Sequence, residues 1–350
     1  MWSRWLASVC LAVFTASPAQ VDRSPLLIDT HNDVPLRVIR GADIGPRSAS
    51  GHTDLARLRE GGVGAVFFSA YVAPGYVKQN RSANRGLEMI DTIRHDIVAR
   101  HPEHFVLALT ADDIEAARRQ GKIAALIGVE GGHAIEDSLR LLRSFHALGA
   151  RYLTLTHSNT NNWADSSGDI NDPKVQHHNG LTDFGRQVIA EMNRLGMIVD
   201  ISHVSDKTFL DVLEVSKAPV FASHSSCRAL ADDRRNMTDE MIRALAAKGG
   251  VIQINFNPGF LTKRKSPPAN LEDVVAHIEH AVKVGGMDAV GIGSDFDGID
   301  ETPVGLEDVS KFPALTRALL ARGYSPADIG KIYGGNTLRL MRAVEAAARR

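Results

Sequence analysis

Cysteine is nearly absent from this sequence: Cys10 and Cys227 are the only two in 350 residues. Two thiols cannot complete the usual four-ligand cysteine metal site. An excess of charge of either sign is missing as well, with 40 Lys and Arg against 41 Asp and Glu, a formal net charge of -1. That balance leaves no basic stripe for nucleic acid and no polybasic patch for an anionic membrane. Long hydrophobic runs are lacking too, since the apolar stretch 5–13 is too short to span a bilayer. No glycine-rich dinucleotide loop follows the first apolar run. What remains is a globular composition, 44% hydrophobic and 23% charged, long enough for one large domain or two ordinary ones.

Residues 1–19 carry an early Arg4, the apolar run, and the small residues Ser17 and Ala19. This resembles a secretory signal peptide, expected to end at Ala19, with a buried N-terminal helix as the plainer reading. Its removal leaves Cys227 alone, so no intrachain disulfide is expected, and the product is expected to be exported, periplasmic or secreted. The last ten residues end in AAARR, so no GPI-type tail and no stable membrane anchor are expected.

From about residue 25 onward, short β-rich runs alternate with helical patterns, without linkers. The runs are LLID (26–29), AVFFSAYV (65–72), AALIGVE (124–130), YLTLTH (152–157), MIVDISHV (197–204), PVFASHS (219–225), VIQINFN (251–257) and AVGIGSD (289–295). FVLALT at 105–110 reads as an added strand or edge piece. The spacing predicts helices over 183–195, 237–248 and 271–284, stopped by Gly196, Gly249 and Gly285. Strands apolar on both faces, each followed by a helix, indicate a helix-covered parallel sheet. Eight such units over residues 20–350 predict one α/β domain, a (β/α)8 TIM-like barrel.

The polar residues make the pattern informative. His31 and Asp33 end the first run, Glu130 the third, His157 the fourth, His203 the fifth, His224 the sixth and Asp295 the eighth. In a barrel those C-terminal strand ends converge on one mouth. Three imidazoles and two carboxylates there suit a dinuclear zinc site, with manganese or cobalt as substitutes. His31 and Asp33 would grip one ion, His203 and His224 the other, and Glu130 would bridge. Lysine, which bridges two metals in many barrel hydrolases, stands at none of these strand ends. Two divalent ions, Asp33, Glu130, a bridging hydroxide and an ionised Asp295 sum to zero charge. Asp29 reads either as a partner of a ligand imidazole or as a backbone tie. Singly, each residue has a plainer reading: Glu130 as a helix cap, Asp295 and Asp297 as a turn, Arg235 as a surface pair with Asp232 or Asp233.

DTHNDVPL, GVEGGH, LTLTHSNTNNWAD, the long block GLTDFGRQVIAEMNRLGMIVDISHVS, FASHSS with DDRRN, GIGSDFDG and YGGNTLRL together resemble the membrane dipeptidase (renal dipeptidase) family of zinc hydrolases. The resemblance implies a barrel with two zinc ions that hydrolyses dipeptides of the L-Xaa-L/D-Xaa type through a metal-bridging hydroxide. It implies metal ligation by His31, Asp33, Glu130, His203 and His224. His157 would polarise the scissile carbonyl, Arg235 would bind the substrate carboxylate, and Asp295 would shuttle the proton. It leaves a homodimer open. Asn257 departs from the tyrosine usual in vertebrate members. Other substrates for the same constellation are a different amide, a lactone or a phosphoester; a receptor without catalysis is the reading from another class.

Overall fold

The computed structural model describes residues 25–266 and 268–348; the proposed leader lies outside them. Nine parallel strands form one sheet: β1 (Leu27–Asn32), β2 (Val63–Tyr71), β3 (Phe105–Leu107), β4 (Ile123–Glu130), β5 (Ala150–Thr154), β6 (Ile198–Asp200), β7 (Phe221–Ser225), β8 (Val251–Ile254) and β9 (Val290–Ile292). Eight of them follow one another in the order β1-β2-β4-β5-β6-β7-β8-β9. The first and last are joined by a parallel bridge from Asn32 to Phe296, with Asp33 N donating to Phe296 O at 2.9 Å and Asp295 N to His31 O at 3.0 Å. The result is the nearly closed α/β barrel that the alternating runs predict.

FVLALT supplies only the three residues of β3. They pair with Ile123–Ala125, the lower part of a β4 edge whose upper part, from Ile127, pairs with β5. β3 is thus an accessory outside the eight-strand circuit. Several runs also outlast their ladders. β5 stops at Thr154 and β6 at Asp200, and the chain then leaves the sheet so that His157 and His203 project from loops.

Helix limits follow local chemistry. Asp183–Leu195 forms as expected, capped by the Thr182 side chain and ended by Gly196 at φ 71°. The helix expected over 237–248 is Asp239–Ala247, because Thr238 takes the cap position and accepts from Met241 N. The helix Leu271–Gly285 starts on a capping box of Asn270 and Asp273, and its stop is Gly286 at φ 86°, one residue beyond the glycine predicted.

Beneath the mouth the barrel is filled. The Phe67, Tyr152 and Phe221 rings pack at centroid separations of 5.3 Å, 5.4 Å and 6.4 Å, and none reaches solvent. Such a plug makes the barrel a core and confines polar chemistry to one end.

Candidate active site

All seven strand-end residues, and Arg235 from the loop after β7, line or adjoin one cavity of ≈ 340 Å³. Glu130, the last residue of β4, stands at its centre with its two oxygens turned apart. Oε2 lies 3.6 Å from His31 Nε2 and accepts from Ser69 Oγ at 3.3 Å. Oε1 lies 3.1 Å from His203 Nε2, 3.4 Å from His224 Nε2 and 4.0 Å from His157 Nε2. His31 Nε2 is also 3.1 Å from Asp33 Oδ2. Glu130 therefore does not cap the 3-10 turn that follows, Gly132–Ile135, which has no side-chain cap.

Three sets of side chains each bring ligand atoms within 4.8 Å of one another: His31, Asp33 and Glu130; Glu130, His157 and His203; His31, His224 and Asp295. Two features suit cations here. His31 Nε2 is buried and makes no hydrogen bond among the described residues. His203 Nε2 and His224 Nε2 face each other at 3.0 Å, although one hydrogen at most can lie between them. Imidazole nitrogen and carboxylate oxygen, without thiolate, fit a borderline or hard divalent metal.

Electrostatics follows from crowding charge into a dry place. Burial raises the Glu130 carboxyl, yet His31 and His203 beside it hold it well below the ordinary carboxylate range. His203 and His224 are pushed well below the usual imidazole value, by burial first and by Arg235 and neighbouring histidines next. Burial also lowers His157, against the pull of Glu130. Asp295 rises to about 7, through burial and the Asp33 and Glu130 charges, with His31 opposing. Asn255 Nδ2 steadies it from 2.9 Å.

Backbone shape aims these groups. His203 (φ 70°) and Asp295 (φ 65°) are left-handed residues without being glycine, a conformation that persists only when the surroundings enforce it. In SDFDG the Gly298 N–H bonds Asp295 O at 3.1 Å, so the turn expected there exists. A Cβ on Gly298 would lie 2.3 Å from Asp33 Oδ2 and 2.6 Å from Asp295 Oδ1, so only glycine lets the loop approach. Asp297 anchors that loop, accepting from His52 N at 2.9 Å and from Arg37 at 3.3 Å.

Arg235 is not a surface ion pair. Its guanidinium donates from Nη2 to His224 O at 3.2 Å and lies 5.3 Å from the Phe260 ring centre, while Asp233 pairs with Lys263 at 2.6 Å. Its Nη1 is buried and has no hydrogen-bond partner among the described residues. Asp29 resolves as a backbone tie: it accepts from Ser294 N at 2.8 Å and Ser294 Oγ at 2.6 Å, stitching β1 to the end of β9. Burial, opposed by those bonds, raises its carboxyl to about 6.

Tyr152, Asp200 and Ser223 stand behind the histidines and were not singled out by the motifs. Tyr152 OH lies 2.9 Å from His31 Nδ1. Asp200 accepts from Ser223 Oγ at 2.6 Å, and Ser223 Oγ lies 2.7 Å from His224 Nδ1. The one available signal was Asp200 itself, a carboxylate inside an apolar run, which requires partners.

With this geometry in view, comparison with known proteins is direct. The family described as membrane dipeptidase (peptidase family M19) matches residues 17–350. An uncharacterized dipeptidase of Schizosaccharomyces pombe is 41% identical over 340 residues, covering 92% of this chain and 81% of that protein. Dipeptidase 3 of Mus musculus is 41% identical over 331 residues and 91% of this chain, which spans only 64% of the mouse protein's length. Among solved structures, a metallo peptidase from Rhodobacter sphaeroides, liganded with a phosphinate mimic of the dipeptide L-Ala-D-Ala, superposes with a TM-score of 0.83 at 30% identity, covering 92% of this chain and 99% of that one. The barrel, the cluster at its mouth and these likenesses agree: the chain belongs to the membrane dipeptidase family.

Proposed function

We propose that this protein hydrolyses the peptide bond of dipeptides, L-Xaa-L-Xaa or L-Xaa-D-Xaa, with two zinc ions at the barrel mouth and manganese or cobalt as substitutes. The observation that carries the reading is Glu130, whose oxygens face His31 on one side and His203 and His224 on the other. His31, Asp33, Glu130, His203 and His224 would hold the ions. When bound, such ions supply a water acidic enough to attack at neutral pH.

The chain's own groups do the rest. Arg235 offers Nη1, which has no partner among the described residues, to the substrate's terminal carboxylate, an anion that a planar guanidinium suits. Arg235 lines the cavity at the barrel mouth, and its demand for a free carboxylate would exclude peptides that extend further at the C-terminal side. His157 Nε2 donates to the carbonyl oxygen as negative charge develops there. Asp295, held from 2.9 Å by Asn255 Nδ2, accepts the attacking water's proton and returns it to the leaving amine. The dipeptide mimic in the Rhodobacter sphaeroides structure, with its D-residue second, supports this substrate class. Export to the periplasm or medium through the leader at 1–19 belongs to the same proposal.

Arg235→Ala is expected to lower kcat/KM on dipeptides by roughly 10²-fold, the cost of leaving one buried carboxylate unpaired. Metal content should stay unchanged, and native enzyme should reject dipeptide C-terminal amides. Equal turnover of dipeptides and their amides by the native enzyme defeats the assignment.

A further inference from the structure

His31 is wholly buried, and its two ring nitrogens meet different surroundings. Nε2 turns to Asp33 and Glu130 at the mouth, whereas Nδ1 faces the Tyr152 hydroxyl at 2.9 Å. A neutral imidazole carries one hydrogen and binds a cation only through the nitrogen that lacks it. For Nε2 to be that nitrogen, the hydrogen must rest on Nδ1. The phenol oxygen is positioned to accept it there, and neither ring reaches solvent for water to substitute.

The ring is built into position. Gly128 lies opposite Tyr152 in the β4–β5 register, and a Cβ there would sit 1.8 Å from the Tyr152 Cζ. Phe67 and Phe221 pack on the same ring at 5.3 Å and 5.4 Å. A carboxylate, a frequent partner of metal-binding histidines, would place a charge among these rings. A phenol accepts the same hydrogen and stays neutral. His224 is served differently, through Ser223 and Asp200.

We propose that Tyr152 is a positioning residue that keeps the His31 hydrogen on Nδ1 and thereby presents Nε2 to a divalent cation, an inference that rests on the cation-binding reading above. The test titrates Co²⁺ into metal-free native protein and Tyr152→Phe against a competing chelator, following the visible spectrum and, for the fold, circular dichroism. Removing one oxygen leaves the ring in place, so the fold signal should persist. Cobalt should bind about 10–100-fold more weakly, with an altered spectrum. In a His31→Ala background the same substitution should change nothing further, the mark of direct coupling. Equal cobalt affinity of native and Tyr152→Phe protein, or an equal loss without His31, overturns the role and leaves the cation site standing. A measurement without any variant checks the premise: ¹⁵N spectra of histidine-labelled, zinc-loaded protein should show the His31 hydrogen on Nδ1, and a hydrogen on Nε2 overturns the proposal. Native protein that binds no cobalt overturns the cation reading and this role together.

Discussion

Buried histidines in this chain serve two ends, and their neighbours decide which. His31, His203 and His224 gather around a carboxylate, with Nε2 atoms crowded together. His277 is equally buried yet satisfied on both sides: Nδ1 accepts from Cys227 N at 3.0 Å and Nε2 donates to Leu261 O at 2.9 Å. Burial, partly offset by the Leu261 bond, lowers its affinity for a proton. Below the ordinary imidazole value of about 6.5 the unfolded chain takes up a proton that folded His277 refuses, so its stabilising contribution shrinks as pH falls. His277→Gln should therefore cost more stability at pH 7.5 than at pH 5, with the difference changing by at most about 1.4 kcal/mol per pH unit. Urea midpoints of both proteins at the two pH values check this; a pH-independent difference would refute it. Residue type alone does not separate these two kinds of histidine. What separates them in the sequence is register, since His31 and His224 end apolar runs while His277 falls within a helical period.

At the scale of elements, the strands were legible and their exits were not. Apolar runs marked every barrel strand because a parallel sheet covered by helices is dry on both faces. Loop exits depend on partners elsewhere in the chain. His203 reaches the mouth through a left-handed turn whose carbonyl accepts from Ser166 and Ser167, residues no local pattern connects to it. The same limit hid Tyr152, whose function lies in a contact with His31, 121 residues away. The seven strand-end residues are legible because chemistry places them at the C-terminal ends of six of the strands. Their supports were missed because they are ordinary interior residues until the barrel closes. Gly128 is such a support. Gly128→Ala would drive a methyl group into the Tyr152 ring, and overpacking of this kind costs about 1–3 kcal/mol. A lowered thermal midpoint in metal-free protein is the expected readout; an unchanged midpoint would show that the ring can yield.

The molecule as a whole brings the proposed ligand donors from four strands, β1, β4, β6 and β7, to one rim or the loops just beyond it. Cations held there would cross-link strands that are not neighbours in the sheet, such as β1 with β4 and β4 with β6. Ligand that binds the folded chain alone adds about 2.7 kcal/mol at a hundredfold excess over its dissociation constant. Dialysis against a chelator should thus lower the unfolding temperature, and zinc should restore it. Glu130→Gln should abolish most of that gain, because it weakens the group both sides share. A melting curve indifferent to chelator and zinc would contradict the cross-link.

The tie between Asp29 and Ser294 has a temporal meaning. A chain emerging from synthesis holds nearly all its histidines long before residue 294 exists, and until then the first strand is paired only along the edge that joins β2. A chain cut short before residue 290 is accordingly expected to be inert, since it lacks Asp295 and the strand that closes the barrel.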